Sequence, residues 1–217
     1  RDLRMSRGLG DVYKRQTSSD QNAALVQNGG TLTITNGKLT KSGDSDNADN
    51  CNFYGTNSAL LAVGEKSKAI ISDSSIDATS SGSHAIFSTD SASVLANNVN
   101  ITTSAANSRG LDATYGGSII ANAMTISTKG DHSASLATDR GGGSVSVTDS
   151  TLNTAGSGSP LLYSTGDIEV SGVTGTASGS QIAGMEGLNT ILINNSTLES
   201  TNTCLLYTSP SPRDMRR

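Results

Sequence analysis

Apolar residues in this chain fall in short clusters separated by Ser, Thr, Gly, Asn and Asp, and the clusters recur. Ser108–Thr128 (SRGLDATYGGSIIANAMTIST) returns about 25 residues later as HSASLATDRGGGSVSVTDSTLNT and about 25 earlier as SHAIFSTDSASVLANNVNITT. The first apolar anchor of each copy is Leu25, Leu61, Ile86, Leu111, Leu136, Leu162 and Met185, at intervals of 36, 25, 25, 25, 26 and 23. The last anchor is Leu39, Ile76, Ile101, Ile126, Leu152 and Leu198, at 37, 25, 25, 26 and 46, the final interval spanning two copies. Two independent anchors give one period, and a fixed period of this size marks stacked repeats.

Within a copy the apolar residues alternate with polar ones over three to five positions, as in Leu136, then Val145 and Val147, then Leu152. Alternation rich in Val, Ile and Thr predicts strands with one face inward, and no stretch keeps helical spacing for two turns. Asn36, Asp73, Asn98, Ala123, Asp149, Gly172 and Asn195 each stand two residues after an inward position of the second strand. Asn, Asp and Gly tolerate left-handed backbone, so this column predicts a tight corner. The fold expected is all-β: a single-chain parallel β-helix of about seven coils of 23–26 residues, with three short strands per coil. Copies of about 25 residues are too short for four-stranded propeller blades. Coils rising by one strand spacing each give a rod of about 30 Å.

Over Ala23–Leu198 the repeat, the Asn/Asp corner and the Ser/Thr/Gly/Asn-rich composition resemble right-handed parallel β-helices of the pectin-lyase-like type, as used in bacterial surface adhesins. That resemblance implies an extracellular or cell-surface location and partners that are glycans or host surface proteins. It also implies a monomeric piece of a longer solenoid.

The two ends share nothing with the repeats. SRGLGDVYKRQ (6–16) and CLLYTSPSPRD (204–214) can be written as antisense readings of one DNA stretch, and the pair resembles a translated adapter of transposase-based sequencing libraries. Residues 1–16 and 204–217 are therefore expected to lie outside the fold, leaving 17–203 as a β-helix segment cut at both ends. Of the 15 Lys/Arg and 19 Asp/Glu, eight and three fall in these ends, so 17–203 carries seven against sixteen and a net charge of −9. An acidic segment with three tyrosines, two phenylalanines and no tryptophan lacks the basic footprint of a nucleic-acid binder. No run of 18 apolar residues is present to span a membrane. Within 17–203 Cys51 is the single cysteine, so no disulfide framework follows.

Three features carry candidate chemistry. The first is the insertion 42–57 (SGDSDNADNCNFYGTN), which stretches the first interval and is expected to be a solvated acidic loop on one face. Asp44, Asp46 and Asp49 supply oxygen ligands of the kind calcium takes, but Ala48 stands where a ligand is needed and no Glu closes the loop. No cofactor is assigned beyond that calcium candidacy.

The second is a strip at the first corner: Asp90, Tyr115 and Arg140 in successive coils, with Asp112, Asp139 and Tyr163 beside them. Rings, carboxylates and a guanidinium on one strip are the makings of a sugar-contacting surface, with Arg140 expected over the Tyr115 ring. Third, Thr103, Thr128, Thr154 and Ser200 stack, but they share the parity of inward residues and should fill a corner rather than form a threonine face.

Asp112 and Asp139 with Arg140 and Asp90 are the best acid–base candidates, since glycoside hydrolysis needs paired carboxylates. The NTD strand, double Asp and GHG turn of polygalacturonases have no counterpart here, nor does an Arg/Lys-centred lyase site. His84 and His132 occupy different places in their coils and are expected at the surface. No catalytic residue is assigned. The reading is an adhesin-like stalk and binding surface without catalysis. Its alternative is a fragment of a β-helical polysaccharide lyase or glycoside hydrolase with its catalytic coils incomplete or missing.

Overall fold

The computed structural model describes residues 12–202. It is a parallel β-solenoid of about eight turns with 4% helix, as the period predicts. Three ladders run its length. The first contains Ala24–Val26, Leu60–Val63, Ile86–Thr89, Leu111–Ala113, Leu136–Thr138, Leu162–Ser164 and Ala183–Met185, which open coils one to seven and form a seven-stranded sheet. The second and third ladders join into a thirteen-stranded sheet, because Lys68–Ala78 and Ser93–Thr103 run unbroken around the corner between them.

Equivalent residues stack in register. The second ladder places Leu32, Ala69, Val94, Ile119, Val145, Ile168 and Ile191 in one inward column, and the third stacks Leu39, Ile76, Ile101, Ile126, Leu152, Gly175 and Leu198. In the interior coils these columns are fully buried, and each such Leu or Ile stabilises the rod by about 1.5–3 kcal/mol. The corner between these ladders is left-handed throughout: Asn36, Asp73, Asn98, Ala123, Asp149, Gly172 and Asn195 have φ between 46° and 68°. There the Asn98 amide donates to Asp73 Oδ1 at 2.8 Å, tying one coil to the next.

The threonine column is buried at Thr103, Thr128 and Thr154. Thr103 and Thr128 donate to the carbonyls of Ser108 and Ser133 at 2.5 Å, while Ser200, on the last coil, is exposed. The Thr103 and Thr128 hydroxyls thus satisfy main-chain groups at this corner.

Two expectations about the first ladder need correction. Its inward column is Ala24, Leu60, Ile86, Leu111, Leu136, Leu162 and Ala183. Leu25 and Leu61 are each one residue out of that column and Met185 two. Leu25 and Met185 point to solvent at 40% and 52% exposure. Alternation misleads here because Leu60, Leu61 and Ala62 are all buried, the outer face of this ladder being covered as well.

The cover is the insertion, which is not the loop expected. Ala48–Tyr54 forms a helix, capped by the Asn47 side chain accepting from the Asn50 N–H and closed by left-handed Gly55 at φ 71°. A seven-residue helix is too short to leave a periodic trace in sequence. At its root Lys41 is buried, its ammonium donating to the carbonyls of Ser18, Ser42 and Gly43 at 3.0, 2.5 and 2.9 Å.

Val12–Gln16, within the stretch expected to stand apart, lies as a parallel strand on Gly37–Lys41. Its residues 13 to 15 are exposed, so the pairing is carried by main-chain groups, which the open edge of a coil offers to any extended segment. Residues 1–11 and 203–217 lie outside the described residues.

Candidate functional site

The insertion helix lies over the corner strip that the sequence singles out. Gly55 makes the approach possible, since a Cβ there would stand 2.5 Å from the Phe87 ring and 2.7 Å from Leu61. Thr114 Oγ1 donates to the Phe53 carbonyl at 2.8 Å. Tyr54 stacks on Tyr115 with centroids 5.5 Å apart and planes within 8°. The Arg140 guanidinium sits 3.8 Å over the Phe53 ring, not over Tyr115 as expected. The insertion supplies both rings, and sequence spacing within the repeats could not have placed them.

Beneath lies a charge cluster whose centre, Arg109, sequence reasoning missed. Its Nη1 donates to Asp112 Oδ2 at 2.6 Å and to Asp139 Oδ2 at 2.9 Å, and its guanidinium lies 5.9 Å from the Tyr163 ring centroid. Asp112, expected to face outward, is fully buried. Burial pushes its carboxyl up, and Arg109 pulls it part of the way back. Burial works against the Arg109 charge too, but the two carboxylates outweigh it and hold the guanidinium above its ordinary range. Tyr163 is half-buried and donates to Glu186 Oε1 at 3.0 Å; burial first, then that carboxylate, push its phenol up to about 12. Arg109, three residues from Asp112 and among the few cations of the repeats, was legible as a partner for it.

His84 is a further correction. It is fully buried, against the surface position expected, whereas His132 is exposed. Arg109 follows His84 in register, and its main-chain N–H donates to His84 Nδ1 at 3.1 Å, which puts the ring proton on Nε2. Burial, reinforced by the Arg109 charge, holds His84 down at about 3. Covered by the insertion and tilted against Phe87 at 5.3 Å, it is a neutral packing residue.

The six strip residues thus divide. Asp112 is buried, Asp139 and Tyr163 are half-buried around Arg109, and Arg140 is exposed but engaged by Phe53. Asp90 is exposed and Tyr115 half-buried, and with Tyr54, Val63 and Thr89 they line a cleft of about 390 Å³. Asp112 and Asp139 each give Oδ2 to one guanidinium, and Asp139 Oδ1 accepts the Arg140 main-chain N–H at 2.9 Å, which suits them to holding the corner together. In the insertion, Asp44 Oδ1 accepts the Ser81 N–H at 2.8 Å, while Asp46 and Asp49 are exposed. Among the described residues, no three His, Cys, Asp or Glu side chains gather to hold a metal ion. No helix there is long and apolar enough to cross a membrane.

No family model, curated protein or solved structure matches the chain.

Proposed function

We propose that this chain is part of an adhesin-like β-helix displayed outside a bacterial cell, holding out a rigid surface that binds glycans or host surface proteins without catalysis. One observation carries the reading. A stacked tyrosine pair and an exposed carboxylate are fixed in an open cleft on a stack of paired strands, while Asp112 and Asp139 are tied to Arg109 and Arg140 to Phe53. A surface ordered in advance loses little entropy when an extended ligand lies along it. The resemblance of the repeats to pectin-lyase-like adhesins supports the same location and the same partner classes.

Glycan and host-protein arrays probed with the chain test the proposal, alongside long incubation with polysaccharides and analysis of the products. Binding without released product is expected. Turnover abolished by Asp112→Asn or Asp139→Asn would replace the reading with a polysaccharide-active enzyme.

A further inference from the structure

We infer that the cleft beside Tyr115 takes an uncharged pyranose residue of a glycan, stacked on the Tyr54–Tyr115 pair and hydrogen-bonded through its hydroxyls to Asp90. This assignment rests on the binding function proposed above and narrows it to one place and one ligand class.

The backbone supplies the first reason. Tyr115 holds φ 45° in the corner where the preceding coil has Asp90 at φ 52°. Aspartate suits that conformation, whereas a bulky side chain there is a steric outlier. A coil corner needs no tyrosine, and residues kept in sparsely populated backbone regions cluster where ligands bind. The next coil accommodates the ring: Gly141 carries no side chain where a Cβ would stand within 2.4 Å of Tyr115 Cδ1.

The geometry of the rings chooses the ligand. Two rings stacked parallel within 8° leave their outer faces to a ligand, with Tyr54 49% exposed. The negative face of an aromatic ring attracts the positively polarised C–H face of a sugar lying flat on it. A quaternary ammonium group needs ring faces that converge around it, and here the rings cover each other instead.

Charge then separates neutral from acidic sugars. The Asp90 carboxylate is exposed and, among the described residues, makes no side-chain hydrogen bond or ion pair. It is therefore free to accept from two hydroxyls, and hydrogen bonds to a charged acceptor are the stronger kind. Arg109 is held by Asp112 and Asp139, and the Arg140 guanidinium, one coil beyond Tyr115 on the side away from Asp90, is spent on the Phe53 ring and on the Tyr115 hydroxyl. A uronate carboxylate in the cleft would face Asp90 with no cation lining the site. The volume of about 390 Å³ lies within the range of small-ligand sites.

The test titrates the full chain by calorimetry with neutral oligosaccharides (gluco-, galacto-, manno- and N-acetylhexosamine series), with oligogalacturonate and with choline. At least one neutral series is expected to bind. Tyr54→Ala, Tyr115→Asn and Asp90→Asn should each weaken it by about tenfold, and Arg140→Ala by less than about twofold. Asparagine suits the left-handed backbone at 115, so that variant should keep its circular dichroism, which separates lost binding from lost fold. Tyr54→Phe, which keeps the ring, should lose less than Tyr54→Ala. Preference for oligogalacturonate or choline, or neutral-sugar binding that survives both tyrosine changes, would overturn the assignment of class or place while leaving a binding function standing. Binding of host protein alone, with every sugar silent, would overturn the assignment as well. Silence toward every sugar and every host protein would overturn it together with the function on which it rests.

Discussion

Replacing Arg109 with methionine isolates what the buried charge cluster contributes. Methionine keeps much of the aliphatic stem and removes the cation, so packing changes little. Asp112 is then the group that suffers: it is fully buried, its Oδ2 relies on Arg109 at 2.6 Å, and its Oδ1 has no partner. Asp139 is 16% exposed and can regain water, and the Tyr163 contact at 5.9 Å adds at most about 1 kcal/mol. An uncompensated buried carboxylate costs about 3–5 kcal/mol, and that is the loss expected for Arg109→Met in urea melts at pH 7.5 followed by circular dichroism. Asp112→Asn alone should cost less, about 1–3 kcal/mol, because Arg109 keeps Asp139. The double variant should be more stable than Arg109→Met, since the buried charge has gone.

The sign with pH follows from the same cluster. Burial already holds the Asp112 carboxyl above its ordinary value and Arg109 opposes it, so removing Arg109 raises it further. The penalty of Arg109→Met should therefore shrink as the pH falls toward 5 and Asp112 takes up a proton. A loss below about 1 kcal/mol at pH 7.5, or a double variant no better than Arg109→Met, would refute the reasoning.

Other consequences can be measured on the same melts. Leu136→Ala, with coils on both sides of a fully buried leucine, should cost about 2–5 kcal/mol, and Leu198→Ala on the half-exposed last coil clearly less; equal losses would argue against a linear stack. His84 is held at about 3 against an ordinary 6.5, so the stability it leaves intact above pH 6.5 should be lost as the pH falls toward 3. The slope is at most about 1.4 kcal/mol per pH unit, and His84→Gln should flatten it in urea midpoints taken from pH 7 to 4. Ala123→Gly, at φ 53° in a corner where five of the other coils use Asn or Asp, should raise the midpoint, stabilising by up to about 1 kcal/mol. A midpoint lowered by that glycine would show the left-handed strain to be absent.

Legibility in the sequence followed how many faces of each strand were buried. The second and third ladders bury one face, so period-2 alternation set their columns from Leu32 and Leu39 through Ile191 and Leu198 without a slip. The Asn/Asp column likewise announced its left-handed corner, because a backbone requirement selects residue types directly. The first ladder buries both faces under the insertion, and there Leu60 and Leu61 are chemically interchangeable as anchors. The strip was visible as a column of unusual residues, but its contacts were not. Tyr54 and Phe53 reach it from the other end of a long excursion, and Asp112 is fully buried against Arg109 of its own coil. His84 was misplaced because the insertion covers it.

The insertion also changes how the rod responds to stress. A plain solenoid is a one-dimensional array in which each coil is coupled only to its neighbours and can peel from either end. Here one excursion leaving the first coil touches Leu61, Phe87, Tyr115 and Arg140, one residue in each of coils two to five. That is coupling out to the fourth neighbour laid over the nearest-neighbour ladder. The four braced coils become one cooperative block, while coils six and seven are free to open singly. Under a pulling force the coils outside the brace yield one at a time at low force, and the block gives way at once at a higher one.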